Sequence, residues 1–110
     1  MIKLKKPKKS LGQNFLIDKN IINKIIKIGN VRENNTVLEI GPGYGSLTKK
    51  IAEIKPRKLL AIEKDKKISL SLAETFKDYK NVQIINEDIM NVIQNREIGK
   101  NIIVFGNLPY

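Results

Sequence analysis

Val37-Leu38-Glu39-Ile40-Gly41-Pro42-Gly43-Tyr44-Gly45-Ser46-Leu47-Thr48 decides the fold. An apolar strand pattern runs straight into three glycines at alternate positions, and a helical pattern follows. This order brings backbone without Cβ atoms close to a ligand at the carboxyl end of a strand, the layout of a nucleotide-type cofactor site. A dinucleotide fingerprint requires its third glycine at position 46, where this chain has Ser46. The pattern G-x-G-x-G therefore argues against a pyrophosphate clamp. It suits a cofactor whose amino-acid or thioether part lies across the loop.

Outward from the loop, the chain alternates strand and helix. Strands are predicted at 36–40, 59–63, 82–86 and 101–106, and helices at 19–28, 46–54, 66–78 and 89–95. Ile21, Ile22, Ile25 and Ile26 share a face of the first helix, and Gly29-Asn30 is its stop signal. Asp18 is its expected N-cap. Pro56 breaks the second helix, and Ile68, Leu72 and Phe76 recur every four residues in the third. Each strand is a nearly continuous apolar run, as in a parallel sheet covered on both faces. The fold class is α/β, built from βαβ units with right-handed crossovers. Ile102-Ile103-Val104-Phe105 is apolar on both faces and predicts further strands beside it, so the chain reads as the N-terminal part of a longer protein, truncated after the fourth strand.

Composition narrows the chemistry. The 110 residues suit one domain, and 41% apolar content suits a packed core. There is no Cys and no His, which removes disulfides, thiolate nucleophiles, imidazole bases and the commonest metal ligands. Neither a metal nor a membrane is expected, and a cytoplasmic location is the simplest reading. The net charge of +10 points to a polyanionic partner, nucleic acid above all, although Lys-rich composition also serves solubility. Residues 1–17 form a basic arm and loop carrying Lys3, Lys5, Lys6, Lys8 and Lys9, and 18–110 form the domain. The arm is either a solvated terminus or a phosphate-contacting segment.

Two acids sharpen the site. Glu63 ends the second strand about 20 residues beyond Gly41, where a carboxylate accepts hydrogen bonds from both ribose hydroxyls. Asp88, just past the third strand, can accept from an exocyclic adenine amine while the backbone of Ile89 reads the ring edge. A helix cap is the plainer reading of either acid. Asn107-Leu108-Pro109-Tyr110 follows the fourth strand. Pro109 stiffens the turn, Asn107 and the Leu108 carbonyl can accept from a base amine, and Tyr110 can stack on the base. Alone, that turn also reads as a proline bend with a core tyrosine.

Together these residues resemble the ribosomal RNA adenine N6,N6-dimethyltransferases. The resemblance lies in Lys9-Ser10-Leu11-Gly12-Gln13-Asn14-Phe15-Leu16, Leu38 to Thr48, Ile62-Glu63, Glu87-Asp88 and Asn107-Leu108-Pro109-Tyr110, in family order over nearly the whole chain. It implies a Rossmann-like methyltransferase fold, S-adenosylmethionine as cofactor and two adjacent adenosines near the 3′ end of small-subunit rRNA as target. It also implies an immature small ribosomal subunit as partner and a role in ribosome biogenesis; the sequence leaves the oligomeric state open, with a monomer favoured for the whole protein. Cofactor contacts are implied for Asn14, Leu16, Gly41, Glu63, Asp88 and Asn107, with Gly43 in the loop between them. Base contacts are implied for Asn107, Leu108 and Tyr110. Pro42 and Leu108 look more like the small-subunit enzyme than the macrolide-resistance branch that acts on large-subunit rRNA. Family members continue past the tetrapeptide, so the 110 residues alone are expected to be a poor enzyme. Two rivals remain: a non-catalytic RNA-binding or assembly module, and a nicotinamide-dependent oxidoreductase.

Overall fold

A computed structural model describes residues 19–95 and 102–106. The basic arm, Asn14, Leu16 and the proposed cap Asp18 lie outside the described residues, as do Asn107, Leu108 and Tyr110. The elements are α1 (Lys19–Gly29), β1 (Thr36–Ile40), α2 (Ser46–Ile54), β2 (Lys58–Ile62), α3 (Lys66–Thr75), β3 (Val82–Ile85), α4 (Ile89–Asn95) and β4 (Ile102–Gly106). The strands form one parallel sheet in the order β3-β2-β1-β4. The α/β class expected from the alternation is the class observed.

Register places the candidate site. Ile40 pairs with Ile62 and with Gly106, and Ile62 pairs with Ile85. The four strands therefore finish level, and the turns after β1, β2 and β3 leave from one rim.

The two sheet faces are covered unequally. On one face Val37, Leu59 and Phe105 pack with Ile22 and Ile25 of α1 and Leu47, Ile51 and Ala52 of α2. On the other, Leu38, Leu60, Ile62 and Ile85 meet Val92 of α4. Each such fully buried aliphatic side chain contributes roughly 1.5–3 kcal/mol. At the end of α1, a Cβ on Gly29 would stand 2.5 Å from Cζ of Phe105. Only a residue without a side chain lets the helix end rest on that ring. Asn30 then turns left-handed (φ 51°), and its N–H donates to the carbonyls of Ile26 and Lys27, as the stop signal predicts.

Some boundaries shift. The third helix stops at Thr75, three residues short of the predicted end. Phe76 has φ −106° and ψ 18°, yet its ring is buried and its N–H donates to Leu72 O. Its place in the four-residue repeat marks what packs, not how far the helix runs. The second strand ends at Ile62, although the Glu63 N–H still donates to Ile85 O at 2.9 Å. Among the described residues β4 has a strand on one side only, and Val104 is 55% exposed there.

Candidate functional site

Three glycines carry the chain over the end of β1 in the left-handed region, at φ 68° (Gly41), 61° (Gly43) and 91° (Gly45). Side chains make that region unfavourable. Gly41 N–H donates to Ile62 O at 2.9 Å, which ties the loop to β2. The glycines were expected to clear space for a ligand together; they divide the work instead. Among the described residues a Cβ on Gly43 would meet nothing within 4 Å, so that backbone faces open space. A Cβ on Gly45 would stand 3.0 Å from both Leu72 Cδ2 and Phe76 Cε2, so that glycine admits α3 to the core. Gly45 is also the N-cap of α2, and among the described residues no side chain caps the helix start.

Beneath the loop lies a carboxyl group to which the sequence reading assigned no role. Glu39 is buried in β1, and Thr48 Oγ1 in the first turn of α2 donates to its Oε1 at 2.6 Å. Burial pushes this carboxyl up from 4.5 to about 7, against the smaller lowering effect of the Thr48 bond. The pair joins the strand that enters the loop to the helix that leaves it. A lone acid in an apolar strand run was a visible signal. Its partner nine residues on belongs to another element, so no periodicity connects them.

The turn after β2 presents Glu63, which is buried at 9% exposure. Its Oε2 accepts from the N–H of Asp65 at 3.0 Å, and Asp65 Oδ1 accepts from Ile68 N–H at 3.0 Å to cap α3. Asn86 Nδ2 reaches across from the end of β3 to the carbonyls of Glu63 (2.9 Å) and Lys64 (3.1 Å). Asp88 accepts from Met90 N–H at 2.9 Å through Oδ1, and its carbonyl accepts from Asn91 and Val92. Asp88 is thus the N-cap of α4, and Ile89 opens that helix with its side chain against the second core cluster.

The rim therefore brings together Gly41, Gly43, Glu63, Asp88 and Ile89. Sequence reasoning missed Glu39, Thr48 and Asn86. An open backbone at Gly43 on the same rim as the Glu63 carboxylate fits an adenosine-bearing cofactor with an amino-acid tail. Among the described residues, no group of three or more His, Cys, Asp or Glu is placed to hold a metal ion, and no helix is long and apolar enough to cross a membrane.

Comparison with known proteins converges on the same chemistry. Ribosomal RNA small subunit methyltransferase A of Alkaliphilus oremlandii is 47% identical over 107 residues, covering 93% of this chain and 37% of that protein. The chain thus spans well under half the length of this curated relative. Among solved structures, the 23S rRNA methyltransferase ErmE superposes with a TM-score of 0.72 at 29% identity, over 84% of this chain and 36% of that one. A dimethyladenosine transferase from Plasmodium falciparum gives 0.70 at 25% identity, over 84% and 33%. The fold is the Rossmann-like fold of S-adenosylmethionine-dependent methyltransferases, as expected. Residues 4–110 match the family model described as ribosomal RNA adenine dimethylase, and with the Gly loop and the Glu63 rim in place, this chain belongs to that family.

Proposed function

We propose that the chain is the cofactor-binding part of an enzyme that dimethylates N6 of two adjacent adenosines near the 3′ end of small-subunit rRNA, during ribosome biogenesis in the cytoplasm. The observation that carries this reading is the open backbone of Gly43 on the same rim as the buried Glu63 carboxylate. Residues 18–110 are read as the N-terminal part of the methyltransferase domain, preceded by a basic arm that contacts RNA phosphates.

When bound, S-adenosylmethionine supplies an electrophilic methyl group for direct displacement by an amine. The chain's own residues bind and orient. Glu63 accepts hydrogen bonds from the ribose hydroxyls, held by Asp65 N–H on its other side. The Gly41–Gly45 backbone would hold the amino-acid part, and the family resemblance adds cofactor contacts from Asn14 and Leu16. Asp88, besides capping α4, offers its remaining carboxylate lone pairs to the adenine amine next to the Ile89 backbone. Asn107 and the Leu108 carbonyl hold the target amine and aim its lone pair, and Tyr110 stacks on the target base. A neutral adenine amine is a weak nucleophile, so positioning is the main task; the proton that the methylated amine sheds can pass to water, and no residue is assigned as a general base.

The test uses the whole product of the gene with labelled S-adenosylmethionine, offered immature small subunits or large-subunit rRNA. Small subunits are expected to take the label. Tyr110→Ala should lower turnover and leave cofactor affinity nearly intact, whereas Glu63→Ala should weaken the cofactor by about 1.5–3 kcal/mol. Labelling confined to large-subunit rRNA overturns the choice of substrate. Tight cofactor binding with no transfer to either RNA leaves the assembly module as the better reading.

A further inference from the structure

We propose that Asn86 is a positioning residue for Glu63, setting the carboxylate that takes the ribose hydroxyls of the cofactor. The proposal rests on the reading of Glu63 as the ribose acceptor and names what holds it in place. Paired strands end at Ile62 and Ile85, and the last backbone bond between them is Glu63 N–H to Ile85 O. Beyond it the carbonyls of Glu63 and Lys64 have run off the ladder, and a turn of this kind must find its donors elsewhere. One amide nitrogen provides them. Asn86 Nδ2 carries two hydrogens and sits 2.9 Å from Glu63 O and 3.1 Å from Lys64 O.

The consequence for the carboxylate is geometric. Asn86 fixes the backbone from which the Glu63 side chain springs. Asp65 N–H, 3.0 Å from Oε2, fixes its far end. Asp65 is in turn anchored as the cap of α3 through Ile68 N–H. The side chain is therefore gripped at root and tip by groups from two different turns. Removing the grip at the root leaves a carboxylate of unchanged charge whose direction is no longer set. Two hydroxyls on adjacent ring carbons demand direction, because both bonds must be made by one planar group. Asn86 itself is exposed and fills no part of either core cluster. The chemistry of the contact is narrow. Asp at 86 turns two oxygens toward two carbonyl oxygens, and Gln is a methylene too long.

The experiment measures calorimetric affinity on the whole gene product with two probes: S-adenosylhomocysteine and its 2′,3′-dideoxy analogue. Wild-type protein is expected to prefer the first. Asn86→Ala should weaken S-adenosylhomocysteine about tenfold and change the dideoxy analogue by no more than about twofold. Asn86→Asp, nearly isosteric, should show the same selective loss, and it decides the matter if the alanine variant fails to fold. In a Glu63→Ala background, either change should add nothing further. Equal losses for both probes, with a lowered melting temperature, overturn the proposal in favour of a merely structural clamp. So does unchanged affinity in the Asn86 variants while Glu63→Ala weakens the ribose-bearing probe. If Glu63→Ala itself leaves the preference between probes intact, the ribose reading of Glu63 has failed and the role of Asn86 falls with it.

Discussion

Three turns leave the same rim of the sheet and enter a helix, and they solve the helix start in two ways. After β2 and β3, an aspartate bends back onto its own helix: Asp65 accepts from Ile68 N–H and Asp88 from Met90 N–H. After β1, Gly45 holds the cap position, and among the described residues no side chain caps the start of α2. A capped start is finished within the chain. A start that no described side chain caps leaves its donors and the positive end of the helix to other partners. The difference separates turns that close on their own helices from the turn proposed to hold the cofactor.

The sharpest way to break this comparison is to fill its two loop glycines. Gly45→Val must push into Leu72 and Phe76 from a left-handed residue, and should cost about 2–5 kcal/mol of stability in urea denaturation. Gly43→Val meets open space, so only the backbone strain of about 1–2 kcal/mol remains. Its larger effect should appear in calorimetry, where affinity for S-adenosylhomocysteine should fall below detection. Equal stability losses in the two variants, or unchanged affinity in the Gly43 variant, erase the distinction between the packing glycine and the ligand-facing one.

A second test concerns what holds the start of α2 in place. The folded protein keeps the Glu39 proton up to about 7, whereas an unfolded chain releases it near 4.5. The folded state therefore binds more protons between those values. This contribution to stability is fully present below about 4.5 and is lost as pH rises through about 7, a difference on the order of 3 kcal/mol. Glu39→Gln keeps an acceptor for Thr48 and has nothing to titrate. The variant's stability minus that of the wild type should grow across this window and level off above it. A difference independent of pH shows that Glu39 stays ionised when folded.

The smallest effect belongs to a capped turn. Asp88→Ala should cost about 1 kcal/mol of stability, and Asp88→Asn, an equally good cap, should cost much less. If both variants melt like the wild type, the α4 cap carries no weight and the contrast with α2 is weaker than drawn.

How much of this was legible depended on what each residue answers to. The apolar runs at Val37-Leu38 and Leu59-Leu60 and the isoleucine stripe of α1 mark strands and a helix because burial repeats with the period of the element. Ends were less legible, since Phe76 packs like a helical residue after the helix has stopped. Within the candidate site, Gly41, Gly43, Glu63 and Asp88 could be placed at strand ends by spacing alone. Spacing said nothing about which glycine faces Phe76, whereas the helix-cap reading of Asp88 is met by Met90 N–H on its Oδ1. Glu39–Thr48 and Asn86–Glu63 were out of reach because each bond crosses between elements, and the partner is chosen by three-dimensional packing that leaves no mark on local pattern.

The contact between Gly29 and the Phe105 ring bears on the order in which the protein is made. Synthesis delivers α1 and β1 early, and β2 and β3 can pair onto one edge of β1 as they emerge. The opposite edge of β1, and the ground beneath the end of α1, stay uncovered until the ribosome has added residues 102–106. During that interval the nascent chain exposes one open edge of the apolar strand β1, a template for wrong partners. A protein whose proposed business is finishing ribosomes is thus itself most vulnerable while still attached to one.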